Sequence, residues 1–186
     1  MRREIRKVAV LGAGVMGQGI CAHLANSGIP SLLYDIVPSD AGEGEASRSR
    51  LAIDGLKLAV KARPALFFHK DLASMVEPLN YEDHGPRLAE CDLVIEVVTE
   101  RLDIKSKVFD WVREHREEGT ILASNTSGLS IADMSADMSD DMRRNFLVMH
   151  FFNPVRYMRL LELVPGAQTD PAVMTSVAHF GEASVS

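Results

Sequence analysis

The segment 7–17, KVAVLGAGVMG, constrains the fold more than any other feature, because a short apolar run leads directly into three closely spaced glycines. Residues 8–11 are aliphatic, as expected of a central parallel strand that is covered on both faces. Gly12, Gly14 and Gly17 then form the pattern G-x-G-x-x-G at the start of a predicted helix. The first glycine permits a tight turn, the second leaves room for a pyrophosphate, and the third lets the helix pack closely on the strand. The segment therefore predicts a strand, a turn and a helix whose N-terminus faces phosphates.

A second predicted strand, residues 31–34, ends on Asp35. This acidic residue follows the glycines at roughly the 20-residue distance that is typical of dinucleotide-binding units. There it would accept hydrogen bonds from the adenosine ribose and repel a 2′-phosphate, which favours NAD over NADP. The glycine pattern alone would also fit a turn that binds no ligand. The predicted cofactor contacts of this first unit are Gly12, Gly14, Val15, Met16, Gly17 and Asp35.

The remaining sequence continues the alternation of strands and helices. Apolar runs predict strands at 79–81, 91–98, 120–123, 145–149 and 160–164, and an amphipathic helix at 104–119. The sequence is therefore expected to form a single α/β domain over residues 1–186, with a doubly wound, mostly parallel sheet of the Rossmann type. A polar cluster, residues 124–128, follows the fifth strand at the sheet edge where ligands of such folds bind.

An insertion interrupts this alternation after the second strand. Residues 45–63 and 69–76 have helical patterns, and Pro64 separates them, so we expect a helical hairpin over about 45–77 that projects from the sheet. Lysine, arginine and histidine residues make the hairpin locally basic. A solvated helix face explains these charges, and a phosphate-bearing substrate tail would also explain them.

Composition narrows the class of protein. The 186 residues carry a formal net charge of −6, which argues against a nucleic-acid surface. No apolar run approaches the length of a membrane span, and residues 1–7 do not resemble a signal peptide. The two cysteines, Cys21 and Cys91, are expected to be core residues without a disulfide. We therefore expect a cytoplasmic protein without a metal site.

Four later segments carry a resemblance to a known family: 95–100 (IEVVTE), 124–127 (SNTS), 150–154 (HFFNP) and 161–162 (LE). With the glycine turn, and in this order, they resemble the NAD-binding domain of the 3-hydroxyacyl-CoA dehydrogenases of fatty-acid β-oxidation, over practically the whole chain. Residues 30–37 and 153–157 are more similar to a bacterial subgroup in which this dehydrogenase is fused to an enoyl-CoA hydratase. The resemblance implies an oxidoreductase that converts (S)-3-hydroxyacyl-CoA to 3-ketoacyl-CoA with NAD.

The resemblance also implies a catalytic base. His150 matches the histidine that takes the proton of the substrate 3-hydroxyl, and a neutral imidazole is suited to that task. Glu162 lies in an otherwise apolar segment, where a carboxylate is costly unless it is paired, and it matches the glutamate that holds the imidazole. We therefore expect His150 and Glu162 to form a catalytic pair. A histidine that is merely satisfied at a strand end is the alternative.

Further positions gain roles from the same resemblance. Ser127 and Asn153 match residues that hydrogen-bond the substrate oxygen, although both residue types also form turns and caps. Glu100 and Lys105 match residues that border the nicotinamide ribose, and Asn125 matches a cofactor contact.

The hairpin and the chain end concern the substrate. Lys61 lies near the position of a coenzyme A-binding lysine, whereas Gly55 stands near a position that carries a hydroxyl in the family. Family members continue into a helical domain that completes the acyl-CoA pocket and carries most of the dimer contact. Because the sequence stops at Ser186, we expect an amino-terminal piece of a longer, oligomeric enzyme that acts on acyl-CoA.

Two other functions are compatible with parts of the pattern. One is a different NAD-dependent β-hydroxyacid dehydrogenase, although those enzymes generally use a catalytic lysine. The other is a non-catalytic NAD-binding module, against which the presence of His150, Glu162, Ser127 and Asn153 argues.

Overall fold

A computed structural model describes residues 4–182, which form one sheet with helices on both faces. The strands are β1 (Val8–Leu11), β2 (Ser31–Asp35), β3 (Val76–Asn80), β4 (Leu93–Glu96), β5 (Ile121–Ser124), β6 (Phe146–Phe151) and β7 (Leu161–Pro165). The helices are α1 (Val15–Asn26), α2 (Glu45–Arg48), α3 (Arg50–Lys61), α4 (Leu102–His115), α5 (Ile131–Ser135), α6 (Asp140–Arg144) and α7 (Pro171–Phe180). Two 3₁₀ helices cover Lys70–Met75 and Gly85–Glu90.

The sheet has the strand order β3-β2-β1-β4-β5-β6-β7, and within the described residues β7 is the one antiparallel strand. From β1 the chain builds outward to β3, then returns to β4 on the other side of β1. The crevice between the carboxyl ends of β1 and β4 is therefore a topological switch point, where open α/β sheets bind ligands. The predicted fold class, a doubly wound and mostly parallel sheet, is confirmed.

Two apolar cores lie on the two faces of this sheet. Val8 and Val10 of β1 belong to one core, whereas Ala9 and Leu11 belong to the other, because successive side chains of a strand point to opposite faces. Helices α1, α3 and α7 complete the first core, and α4, α5 and α6 complete the second. Strands β1, β4 and β5 are buried throughout, which explains their nearly continuous apolar sequences.

The insertion after β2 differs from the expected hairpin. Its helical part breaks at Ser49 into α2 and α3, and the second predicted helix is a 3₁₀ helix that leads directly into β3 at Val76. Helix α3 packs on α1, β2 and β3 and does not project from the sheet. Ala52 and Ala59 are buried while Leu51 and Leu58 of the same helix are exposed, because small side chains let α3 approach α1 closely.

Several element boundaries also differ from the sequence-based expectation. β3 starts three residues earlier than predicted, α4 ends at His115 rather than near Gly119, and β4 covers only the middle of the predicted strand. Strand β6 continues through His150 to Phe151, two residues beyond the predicted end of the strand. Helices α5 and α6 and the 3₁₀ helix at Gly85–Glu90 were not predicted.

Cys21 and Cys91 are buried and free, as predicted, and burial raises the pKa of both thiols to about 12. In the part of the chain that the structure describes, every helix is too short or too polar to cross a membrane. Of the leading segment 1–7, residues 1–3 lie outside the described residues, as do residues 183–186 at the other end.

Candidate functional site

The glycine turn joins β1 to α1 with very little space between strand and helix. Gly12 has a φ of 117°, and a Cβ at this position would lie 3.1 Å from the carbonyl oxygen of Val97. A Cβ at Gly17 would overlap the carbonyl oxygen of Gly12. Only glycine fits these two positions without a shift of the backbone.

The N-terminus of α1 is open. Gly14 is its N-cap residue and provides no side-chain cap, and a Cβ at Gly14 would meet no atom of the described residues within 4 Å. Val15 is exposed and Met16 is half-buried in the first turn. The first N–H groups of a helix lack partners within the helix and carry its positive dipole end. This turn therefore has both the space and the donors that a pyrophosphate requires.

Asp35 lies directly beside this turn. Its Oδ2 accepts a hydrogen bond from the Ala13 amide at 2.7 Å, and its Oδ1 accepts one from the Ile36 amide at 2.7 Å. The carboxylate is half-buried and its orientation is fixed by the two amides. Each carboxylate oxygen has a further lone pair for a hydroxyl donor. The assignment of Asp35 to the adenosine ribose stays a prediction, and its position fits that role.

A fully buried ion pair lies under the next strand ends. Glu96, the last residue of β4, is 0% exposed, and Lys105 of α4 is 1% exposed. The Lys105 Nζ donates to Glu96 Oε1 at 2.7 Å and to Oε2 at 2.9 Å. The Ser124 hydroxyl and the Val98 amide donate to the same carboxylate at 2.6 and 2.7 Å. Sequence reasoning missed Glu96, although a charge at the end of an apolar strand is the same signal that identified Glu162.

Glu100 lies above this pair. Its Oε2 is 3.3 Å from the Lys105 Nζ, and its Oε1 accepts hydrogen bonds from the Thr126 hydroxyl and from the Gly128 amide. Partial burial acts to raise the pKa of Glu100, but Thr126, Lys105 and the Gly128 amide outweigh it and hold that pKa below its ordinary value. The Glu100 side chain is 44% exposed. Of the two residues predicted to border the nicotinamide ribose, Glu100 is accessible and Lys105 lies beneath it.

Asn125 connects three strand ends. Its backbone N–H donates to the backbone carbonyl of Glu96 at 2.8 Å, and its side-chain oxygen accepts a hydrogen bond from the backbone N–H of Phe151 at 2.8 Å. Ser127 follows in the same loop and is exposed. The structure thus places Asn125 and Ser127 at the carboxyl edge of the sheet, between the Glu100 loop and β6.

His150 and Glu162 are direct cross-strand partners in the antiparallel pair of β6 and β7. The His150 Nδ1 and the Glu162 Oε2 lie 3.0 Å apart, and the two side chains are 19% and 50% exposed. Because the carboxylate is an acceptor, this contact places the proton on Nδ1 and leaves Nε2 as the basic nitrogen. The ring of Phe152 packs against the imidazole with 4.5 Å between the ring centres. The predicted pair is thus formed, and its register explains how residues on separate strands meet.

The two remaining predicted substrate contacts are exposed: Asn153 lies in the turn after β6, and Lys61 is the last residue of α3. Arg156, from the same turn as Asn153, donates to the carbonyls of Ala65 and Phe67 at 2.7 and 3.1 Å. The loop that follows Lys61 therefore packs against the turn that carries Asn153. Among residues 4–182, no three His, Cys, Asp or Glu side chains are arranged to hold a metal ion.

Comparison with known proteins gives a consistent family. Residues 7–184 match the family described as "3-hydroxyacyl-CoA dehydrogenase, NAD binding domain". A protein of Bacillus subtilis named "Probable 3-hydroxyacyl-CoA dehydrogenase" is 47% identical over 98% of this chain and 24% of its own length. A protein of the same name from Deinococcus radiodurans is 42% identical over 96% of this chain and 51% of its own length. Other relatives, at 37–38% identity, are named alpha subunits of the fatty acid oxidation complex.

A solved structure shows the same fold. The 3-hydroxybutyryl-CoA dehydrogenase of Escherichia coli is 29% identical, with a TM-score of 0.77 over 97% of this chain and 37% of that chain. The chain thus spans between about a quarter and half of the length of these three proteins.

Proposed function

Because the chain belongs to the 3-hydroxyacyl-CoA dehydrogenase family and matches its NAD-binding domain, we propose that it provides the cofactor site and the catalytic base for oxidation of (S)-3-hydroxyacyl-CoA to 3-ketoacyl-CoA in fatty-acid β-oxidation. The observation that carries the proposal is the His150–Glu162 contact of 3.0 Å, at the same sheet edge as an open glycine turn. A base and a dinucleotide site at one edge are what a hydride-transfer enzyme requires.

The residues of the turn fit NAD. Gly14 leaves space for a pyrophosphate, and the first amides of α1, at Val15 and Met16, are placed to donate to it. Asp35 would accept the adenosine ribose hydroxyls, and its charge would disfavour the 2′-phosphate of NADP. Glu100 would accept a hydrogen bond from the nicotinamide ribose, and Lys105 would hold Glu100 from beneath. Asn125 would be a further contact with the cofactor. Bound NAD supplies the acceptor of the hydride.

The proposed chemistry assigns the proton to His150. The Nε2 takes the proton of the 3-hydroxyl, the C–O bond becomes a carbonyl, and the hydrogen on C3 leaves with its electron pair as hydride. Glu162 holds the Nδ1 proton and stabilises the imidazolium as it forms. Ser127 and Asn153 would donate to the substrate oxygen and orient it. Positioned bases of this kind contribute roughly 10² to 10⁴ in rate.

The substrate and the assembly form part of the same proposal. The relatives named after fatty acid oxidation support an acyl-CoA substrate, for which Lys61 is the candidate contact with the coenzyme A. Since the relatives are two to four times longer than the chain, we include a further helical domain that completes the acyl-CoA pocket and carries the oligomer contact. Two buried free thiols fit the reducing cytoplasm, which is the location that we propose.

One assay separates this proposal from the two alternatives. Loss of NADH absorbance with acetoacetyl-CoA would be followed for the 186-residue chain and for a protein that continues to the length of the relatives. We expect NADH binding by both and turnover mainly by the longer protein, because holding substrate and cofactor together is worth roughly 7 to 11 kcal/mol. Turnover of short hydroxyacids without coenzyme A would favour the other dehydrogenase class. NADH binding without any turnover in the longer protein would favour the non-catalytic module.

A further inference from the structure

The buried Glu96–Lys105 pair needs an explanation, because such pairs seldom stabilise a fold. Removing two charges from water costs several kcal/mol per ion, and apolar side chains of similar size often replace a buried pair without loss of stability. Here Glu96 accepts four hydrogen bonds, from Lys105 (two), Ser124 and Val98. An environment with this many donors holds the carboxylate in one orientation.

The contacts of this pair lead toward the surface where the cofactor would bind. The Lys105 Nζ that is held by Glu96 also lies 3.3 Å from Glu100. Ser124, the second donor to Glu96, begins the loop that carries Asn125 and Ser127. The Asn125 amide donates to the carbonyl of Glu96 itself. One buried residue therefore contacts the loops that follow β4 and β5, beside the switch point between β1 and β4.

The charges explain why Lys105 requires Glu96. Lys105 contacts two carboxylates, one buried and one exposed, and the buried one forms the shorter contacts. Because Glu96 forms the two shorter contacts, the Lys105 ammonium group stays beneath Glu100 and directs one N–H group toward it. Glu100 is then held from two sides, with Oε2 on Lys105 and Oε1 on Thr126 and the Gly128 amide. One lone pair, on Oε2, remains for a hydroxyl donor from solvent or a ligand.

The geometry points to Glu96 as a positioning residue that fixes Lys105, and through Lys105 fixes Glu100, in the orientation in which Glu100 accepts a hydrogen bond from a ribose hydroxyl of a nicotinamide cofactor. This inference rests on the proposed function, since it assumes a cofactor at the carboxyl edge. It assigns Glu96 no contact with cofactor or substrate. It also gives the buried position of Lys105 a role, because the lysine acts on Glu100 from below.

The test measures NADH affinity and thermal stability of the 186-residue chain separately. Glu96→Gln alone leaves a buried ammonium with one partner fewer and is expected to unfold at a lower temperature. The decisive variant is Glu96→Gln with Lys105→Met, which removes both charges at nearly constant volume. We expect its melting temperature to be close to that of the native chain, and its Kd for NADH to rise about tenfold, the size of one weakened charge-assisted hydrogen bond.

A cycle with Glu100→Gln then asks whether the effect passes through Glu100. If it does, Glu100→Gln alone also raises the Kd, and adding it to the double variant raises the Kd no further. Arg116→Met is the matched control, because Arg116 forms a largely buried ion pair with Asp141 just beyond the other end of α4. It should lower the melting temperature and leave the Kd unchanged.

Several results would overturn the inference. A double variant with native affinity, or one that does not fold, would show that the pair serves only the fold. Additive losses would show that Lys105 contacts the cofactor independently of Glu100, and an Arg116→Met variant with a raised Kd would show that affinity merely follows stability. If the native chain does not bind NADH, the proposed function fails as well. If the native chain binds NADH and the double variant has the same Kd, this inference alone is overturned.

Discussion

The two ends of the sheet use charged residues in different ways. At the amino end, Arg87 pairs with Glu77 and Glu90, and Lys7 pairs with Glu90, on a partly exposed surface where the charges satisfy one another. At the carboxyl end, Glu96 is buried, and Glu100 is held by Lys105, Thr126 and the Gly128 amide while its side chain stays 44% exposed.

The charged residues at the amino end only neutralise each other, whereas Glu100 at the carboxyl end can still bind a ligand. An exposed ion pair contributes little stability, and its charged groups already have each other as partners. A carboxylate that is fixed from below keeps hydrogen-bonding capacity on its outer side. The comparison predicts that variants at the carboxyl end change function far more than variants at the amino end.

The largest effect is expected at His150. His150→Gln should lower turnover of acetoacetyl-CoA by roughly 10² to 10⁴, because reduction of the ketone needs the proton that the base takes up in the oxidation, whereas NADH affinity should stay nearly constant. Glu162→Gln should lose less, since it keeps a hydrogen-bonding side chain and removes only the charge. The measurement is steady-state kinetics in a protein of the length of the relatives, with the exposed His179→Gln as control. Retention of more than about a tenth of the native turnover in His150→Gln would refute its role as the base.

The glycine turn should show the next largest effect. Gly17→Ala forces a Cβ onto the Gly12 carbonyl and should destabilise the chain by about 3 kcal/mol or more, measured by urea unfolding. Gly44→Ala is the control, because a Cβ there meets no described atom within 4 Å and the φ of −75° suits alanine. Equal stability of the two variants would mean that the close contact of α1 with β1 is not present in solution.

Asp35 should show a smaller effect, on cofactor preference. Asp35→Asn keeps acceptor capacity for the Ala13 amide but removes the charge that repels a 2′-phosphate. The preference for NADH over NADPH should narrow about tenfold, which corresponds to 1.4 kcal/mol. Calorimetric titration with both cofactors tests this, and Asp40→Asn, at an exposed carboxylate paired with Arg50, should leave the ratio unchanged. Equal affinities of the native chain for NADH and NADPH would contradict the assignment of Asp35 to the adenosine ribose.

The smallest effect is expected at the amino end. Arg87 and Lys7 lower the pKa of Glu90 to about 2. The pKa of a glutamate in the unfolded chain is higher. The contribution of Glu90 to the free energy of unfolding is therefore fully present above about pH 4.5 and is lost as the pH falls toward 2. Glu90 is partly exposed, so Glu90→Gln should cost less than about 1 kcal/mol at pH 7 and still less at pH 3, by urea unfolding. A cost that grows on acidification would contradict this sign.

Sequence reasoning worked where the pattern was local. The unit β1–α1–β2, with Asp35 at its end, follows from an unbroken apolar run and the spacing of glycines. The His150–Glu162 pair was expected because both residues match positions of the family that the sequence resembles, and because Glu162 is a charge in an apolar segment. Its cause, the register of β6 and β7, depends on long-range pairing that only the structure shows.

The errors have one physical source. In α3 the helical pattern does not reveal which side chains are buried, because close approach to α1 favours the small residues Ala52 and Ala59. The burial of Lys105 could not be predicted either, because Glu96, which holds it, lies nearby only in the folded chain. Properties that depend on a neighbouring element could not be predicted from one segment.

The most direct test of the account is the NADH affinity of Gly14→Ala relative to the native chain, with the melting temperature recorded in both. A Cβ at Gly14 meets no described atom within 4 Å, so the variant should remain as stable as the native chain to within about 1 kcal/mol. If a pyrophosphate lies against this turn, the methyl group must displace it, and the Kd for NADH should rise about tenfold or more. Unchanged affinity at unchanged stability would mean that the cofactor does not bind at the carboxyl end of β1, and the central claim would be wrong.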